Sequence, residues 1–217
     1  MRKLLVTYVG MVLIALSILM GCSSQTPSKP AEEQQTPAKP AAPSKPEEVT
    51  GRSAFQKLFV SARGWAADAK PFLLASQVIK ESTGKDGKSA VWRAGFASPS
   101  RRAIKPYIWS GVQAEDAPSP GINPGTEDSY SPSNTSTQVF DMGFLKVDSD
   151  KAFDVAQKHG GDKITKKNAD QPITYLLDWN ARSSQLVWHV VYGTGADDAK
   201  LRVAVNASSG DYIRVEK

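Results

Sequence analysis

A nucleophilic thiol, a metal cage and a hydroxyl–imidazole–carboxylate relay all need residues that this chain of 217 supplies sparingly. It holds one Cys, Cys22, and two His, His159 and His189, which stand 30 residues apart. One Cys permits no internal disulfide, and two distant His exclude a multi-histidine metal site. No Gly-x-Ser-x-Gly elbow and no His-Glu-x-x-His pair occurs. Asp148-x-Asp150-x-x-x-Asp154 has the start of a calcium loop. It lacks the turn Gly and the Glu at the twelfth place, so helix capping is the better account. Gly193-Thr194-Gly195 lacks the Gly-Lys-Ser/Thr that completes a phosphate loop. His159 falls at a helix end, where an imidazolium complements the last carbonyls. His189 alternates out of phase with Trp188 on a strand, and both His read as structural. The expectation is therefore no catalytic residue, no metal, no cofactor and no enzyme activity. The five Trp remain. Trp92 and Trp188 sit in matching strand contexts and read as core. Trp65, Trp109 and Trp179 have no clear phase, so they are either core or an exposed aromatic strip suited to a glycan or a peptide.

Cys22 gains its meaning from what precedes it. Met1-Arg2-Lys3 is a short positive start, and Leu4–Met20 is an apolar run of 17 residues. That pattern fits a secretory signal and lies at the lower limit for a membrane span. Leu19-Met20-Gly21-Cys22 resembles the lipobox of bacterial lipoproteins. The resemblance implies cleavage between Gly21 and Cys22 and acyl chains of the palmitate type on Cys22. It places the mature chain outside the cytoplasm on a bacterial membrane. In a cell with two membranes, Ser23 lacks the retaining Asp, which implies the outer membrane facing the periplasm. An uncleaved signal anchor is the competing reading of the same residues. Two or three acyl chains give stable anchoring where one is marginal.

The formal net charge is +5. The first 21 residues contribute +2 and residues 23–50 contribute −1, leaving +4 for the rest. This is too mild to imply nucleic acid. Residues 22–50 read as the lipidated Cys and a tether, with six Pro and no aromatic side chain. Such a segment buries too little apolar area to offset its ordering entropy. It would span roughly 90 Å if extended at about 3.1 Å per residue.

Apolar patterning begins at Ala54. Ala54, Phe55, Leu58, Phe59 and Ala62 recur at helical spacing, with Thr50 or Ser53 as cap. Strands are expected at 72–79, 90–97 and 103–112. Pro106 inside the third marks an edge strand or a bulge. Residues 113–136 form a long loop, either a disordered insert or a functional segment. Residues 138–147 look extended. A helix follows from Asp148, with Ala152, Phe153, Val155 and Ala156 as its apolar face and Gly160-Gly161 as its stop. Strands at 173–179, 186–192, 201–206 and 212–215 complete the chain, the last two joined by a turn at 207–211.

The two halves repeat. Val91-Trp92 matches Val187-Trp188 at an offset of 96, and Ala54-Phe55 matches Ala152-Phe153 at an offset of 98. Chance matching of a Val-Trp pair is the alternative. Asp150–Gly161, Leu186-Val187-Trp188-His189-Val190 and Arg202–Ile213 resemble the helix, Trp strand and closing hairpin of PepSY-type domains. Asn206 stands where that family more often has Asp. The resemblance implies an α+β fold, with one or two helix-plus-antiparallel-meander units whose helices pack on one sheet face. The units are expected at 51–112 and 137–217. It also implies a binding or regulatory role, sometimes inhibition of a peptidase. The expected partners are the membrane, through lipid on Cys22, and an envelope protein or a secreted peptidase.

Overall fold

In the computed structural model, which describes residues 45–216, the first elements are β1 (Val49–Thr50) and helix α1 (Gly51–Trp65). The helix forms where the apolar spacing demands it, and Ala54, Phe55, Leu58 and Ala62 are its buried stripe. β2 (Lys70–Ser76), β3 (Lys88–Ser89), β4 (Val91–Ser98) and β5 (Ala103–Ser110) follow, then the short β6 (Gly121–Pro124) and β7 (Asp128–Ser129). Helices α2 (Ser149–Ala156) and α3 (Asp162–Lys167) precede β8 (Thr174–Asn180), β9 (Gln185–Val191), β10 (Arg202–Asn206) and β11 (Tyr212–Glu216). The fold is α+β.

One antiparallel sheet runs β11-β10-β9-β8-β2-β4-β5-β6, with β7 beside β6 on the same edge of β5. The first strand of each half, β2 and β8, pair at the centre through Leu74 and Leu177. Each half is thus a helix followed by a four-stranded meander, and an approximate twofold axis passes between β2 and β8. Both α1 and α2 pack on one face. There Trp92, Phe96, Tyr107, Leu74, Tyr175, Leu177, Trp188 and Val203 form a single core. Period-two alternation sends the neighbouring residues to the opposite, helix-free face.

The repeat extends to individual hydrogen bonds. The Trp92 indole N–H donates to the Val49 carbonyl at 3.0 Å, and the Trp188 indole N–H donates to the Val147 carbonyl at 2.9 Å. The Gly111 amide donates to Ala90 and the Ala207 amide to Leu186, at 2.8 and 2.9 Å. The two Trp rings meet edge to face at the axis, 6.4 Å between centroids.

Several expected boundaries change. The folded body begins before residue 51: Glu47 donates to the Gly111 carbonyl, and Val49 pairs with Ser89. The first strand is Lys70–Ser76, because Ile79 turns away into a bridge with Ser82. Residues 113–136 are no structureless insert, since β6 and β7 extend the sheet from β5. Pro106 lies inside the sheet rather than on an edge strand. Its carbonyl accepts from Gly125, so its missing N–H faces the gap between β6 and β7, where no ladder bond is required.

Residues 138–147 are not a strand. The Asn134 and Asp141 side chains accept from the amides of Ser136 and Gly143 and wind the chain into two 3₁₀ turns, while Phe140 and Leu145 reach the core. Gly160-Gly161 does not stop the helix. Gly160 takes a φ of 114° within a π turn, and the Tyr192 ring lies against Gly161 where a Cβ would stand. The chain then resumes as α3. Among the described residues no helix is long and apolar enough to cross a membrane.

Candidate functional site on the helix-free sheet face

The strand registers fix what this face presents. One row across it reads Ile108, Arg93, Ala75, Leu176, His189, Ala204 and Arg214. Arg93 and His189 are repeat equivalents, each following the Val-Trp pair of its strand. They flank a shallow apolar centre made by Leu73, Ala75 and Leu176 on β2 and β8.

On the β9 side the charges are already paired. His189 is 8% exposed. Its Nδ1 lies 2.7 Å from Glu216 on β11, and its Nε2 lies 3.3 Å from Asp178 on β8. Glu216 also pairs with Arg202 at 3.4 Å and Arg214 at 2.7 Å. Burial alone disfavours the imidazolium. The hydrogen bonds and charges of Asp178 and Glu216 outweigh it and lift the pKa to about 9. In return, the His189 hydrogen bond holds Glu216 below its ordinary range against the opposing effect of burial. With a carboxylate on each nitrogen, the ring has neither a lone pair nor an open position for general-base work.

The β4 side is built differently. A cavity of about 450 Å³ opens there, lined by Phe72, Leu73, Gly95, Ile104 and Pro106, with Arg93, Thr126, Glu127 and Asp128 around it. A β-bulge between Pro71 and Leu73 frees Phe72 from the ladder, and its ring lies over Gly95. A Cβ on residue 95 would meet that ring at 2.4 Å, so only Gly leaves room for the ring to lie against β4. A second hollow of about 290 Å³ shares Arg93 and includes Ala75, Ser76 and Thr194. The segment 112–117 covers the far end through Val112, Ala114 and Ala117, packed on Val91 and Ile108. Residues 126–128 of the same long connection form the opposite rim.

The residues singled out from sequence are not gathered here. Gly21 and Cys22 lie outside the described residues. Trp109 is 4% exposed and belongs to the helix-side core, with the Lys57 ammonium 4.5 Å from its ring centre. Trp65 is half-buried at the end of α1 and donates to Glu127 at 2.8 Å. Trp179 is half-buried against Phe144 at 5.2 Å. The three do not form an exposed strip: alternation puts Trp109 and Trp179 on the helix side of the sheet, and Trp65 caps its edge. His159 stacks on Tyr212 at 3.7 Å. Sequence reasoning passed over Arg93. The signal available for it was a charged residue in phase with His189, on the face opposite the paired Trp. Among the described residues no cluster of His, Cys, Asp and Glu is arranged to hold a metal ion.

No family model matches the sequence, and no curated protein matches it. Among solved structures the chain is similar to a candidate lipoprotein from Clostridium difficile 630. The alignment spans 75% of this chain and 91% of that one, at 11% identity and a TM-score of 0.47. At that distance the likeness carries no functional statement.

Proposed function

We propose that the chain is a lipid-anchored, extracytoplasmic and non-enzymatic binding module of the cell envelope. The anchor rests on the Leu19–Cys22 motif, and Pro-rich residues 23–44 would set the module off the bilayer. The observation that carries the binding role is the helix-free face, where a cavity of about 450 Å³ lies beside an exposed Arg93. Pockets of this size with a few convergent polar groups are the usual form of a ligand site. In a cell with two membranes, the module would sit on the outer membrane and face the periplasm.

Nuclear magnetic resonance on the mature chain in detergent tests the reading. Envelope extract should shift the amide signals of Leu73, Arg93 and Leu176 and leave Gln56 and Val60 on the outer side of α1 unmoved. Shifts confined to α1 would overturn it.

A second reading, a PepSY-like regulator or inhibitor of a secreted peptidase, is favoured by one observation. The second half runs helix, then four-stranded meander, and closes on a hairpin at Gly210 with a φ of 83°. Slowed hydrolysis by an envelope peptidase in the presence of the chain would support that role.

A further inference from the structure

The cavity on β2, β4 and β5 carries opposite charges at its two ends. Arg93 stands at one end, exposed, and among the described residues no carboxylate lies within ion-pair distance of it. Asp128 stands at the other end, exposed, and among the described residues its side chain accepts one hydrogen bond, from the amide of the next residue, Ser129, at 2.6 Å. Glu127 beside it is already engaged, accepting from Trp65 and pairing with Arg101 and Lys105 at 3.4 Å each. Of the three charged residues that line this cavity, Arg93 and Asp128 are therefore the two left for a ligand. Between them lie the apolar floor and walls of Gly95, Phe72, Ile104 and Pro106.

Strand geometry gives the span. Arg93 pairs with Ile108 and Asp128 pairs with Ile104, so the two charges sit two strands apart and four residues along. At about 4.8 Å per strand and about 3.3 Å per residue, their Cα atoms are about 16 Å apart. The two side chains reach into that distance and leave about 10 Å, the length of three extended residues.

From this pattern we infer that the cavity binds a short extended peptide with free ends. Its carboxylate sits on Arg93, its ammonium on Asp128, and one apolar side chain lies against Phe72, Ile104 and Pro106. The inference rests on the reading of this face as a binding surface and names the ligand class. A guanidinium matches a carboxylate in a two-pronged hydrogen bond, which an amide end cannot accept equally well. A fatty acid is the poorer complement, because its tail would run against Asp128 and Thr126.

The test is titration calorimetry on the full mature chain in detergent with Ala-Leu-Ala. The free tripeptide should bind at least about tenfold more tightly than its C-terminal amide or its N-acetyl form. Arg93→Gln should remove the preference for the free carboxylate. Asp128→Asn should remove the preference for the free amine. Both positions are exposed, so the thermal midpoint should hold, and the comparison of peptide ends on the unaltered chain needs no variant. Absence of binding up to about 10 mM would overturn the inference. So would tighter binding of octanoate than of the tripeptide, or unchanged binding by Arg93→Gln. Signals of Arg93 and Leu176 that move with envelope extract but not with Ala-Leu-Ala would remove the ligand class and leave the binding face standing.

Discussion

The amide of Gly51 donates to the Ser149 hydroxyl at 2.7 Å, although the two residues are 98 positions apart and open the helices of opposite halves. The second half therefore caps α1 across the axis. Asp148 accepts from its own Ser149 at 2.7 Å and from Arg52 of the other helix at 2.8 Å. Thr50, in the N-cap place of α1, makes no capping bond of its own and donates to Ser53. The Ser149 hydroxyl also donates to the Gly87 carbonyl at 2.5 Å. One buried side chain thus joins α1, α2 and the turn before β3.

Ser149→Ala should lower stability by about 1–3 kcal/mol, because it leaves a helix N–H and a buried carbonyl unpaired. Gly51→Ala should cost a similar amount by crowding, since a Cβ there would stand 2.6 Å from the Trp188 ring. Urea melts of both variants measure this, and a loss below about 0.5 kcal/mol in each would show that the cross-axis cap is dispensable.

Trp92 and Trp188 are both fully buried, and each donates to a backbone carbonyl. Changing either to Ala should cost about 3–5 kcal/mol. Trp65→Ala should cost less, because its ring is half-buried at the edge of the sheet. Denaturant midpoints for the three variants should follow that order.

The pH profile should carry the signature of His189. Its folded pKa of about 9 exceeds its ordinary value of 6.5. Its contribution is therefore complete below pH 6.5 and fades as pH rises towards 9. The lift corresponds to about 3 kcal/mol, at about 1.4 kcal/mol per tenfold change in proton affinity. Glu216 acts in the opposite sense, and its contribution is lost in acid as it protonates. The groups facing the ring are Asp178, Glu216, Arg202 and Arg214. Stability measured from pH 5 to 9 should fall on the alkaline side, and His189→Gln should flatten that fall.

The start of the folded body can be tested by truncation. A chain beginning at residue 45 should be more stable than one beginning at 51, by about 1–3 kcal/mol. The shorter chain loses the Glu47–Gly111 and Val49–Trp92 bonds. Equal thermal midpoints would place the boundary at the helix instead.

Cys22→Ala should abolish incorporation of labelled fatty acid and leave a larger precursor on a gel. Continued labelling would reject Cys22 as the acylated residue.

The local elements and their grouping into two halves are legible in the order of residues alone. Helical spacing marked α1, and alternation marked β4, β8, β9 and β10. The Val-Trp pairs placed equivalent rings on equivalent strands. Those signals are local, since a side chain's phase on its own element is set by period 3.6 or 2. Which elements meet depends on long-range packing. Nothing in the spacing says that β2 and β8 pair, and that pairing alone brings Arg93 and His189 onto one continuous face. Nor does composition reveal that polar, Pro-rich residues 113–136 add strands to β5 and supply Asp128. Short edge strands carry little apolar pattern and take their structure from the ladder they join. His189 and Arg93 hold the same place in the repeat, yet one is buried among carboxylates and the other is exposed. That difference follows from β11, whose Glu216 reaches His189 across β10, while the edge beyond β5 places Glu127 with Trp65, Arg101 and Lys105 instead.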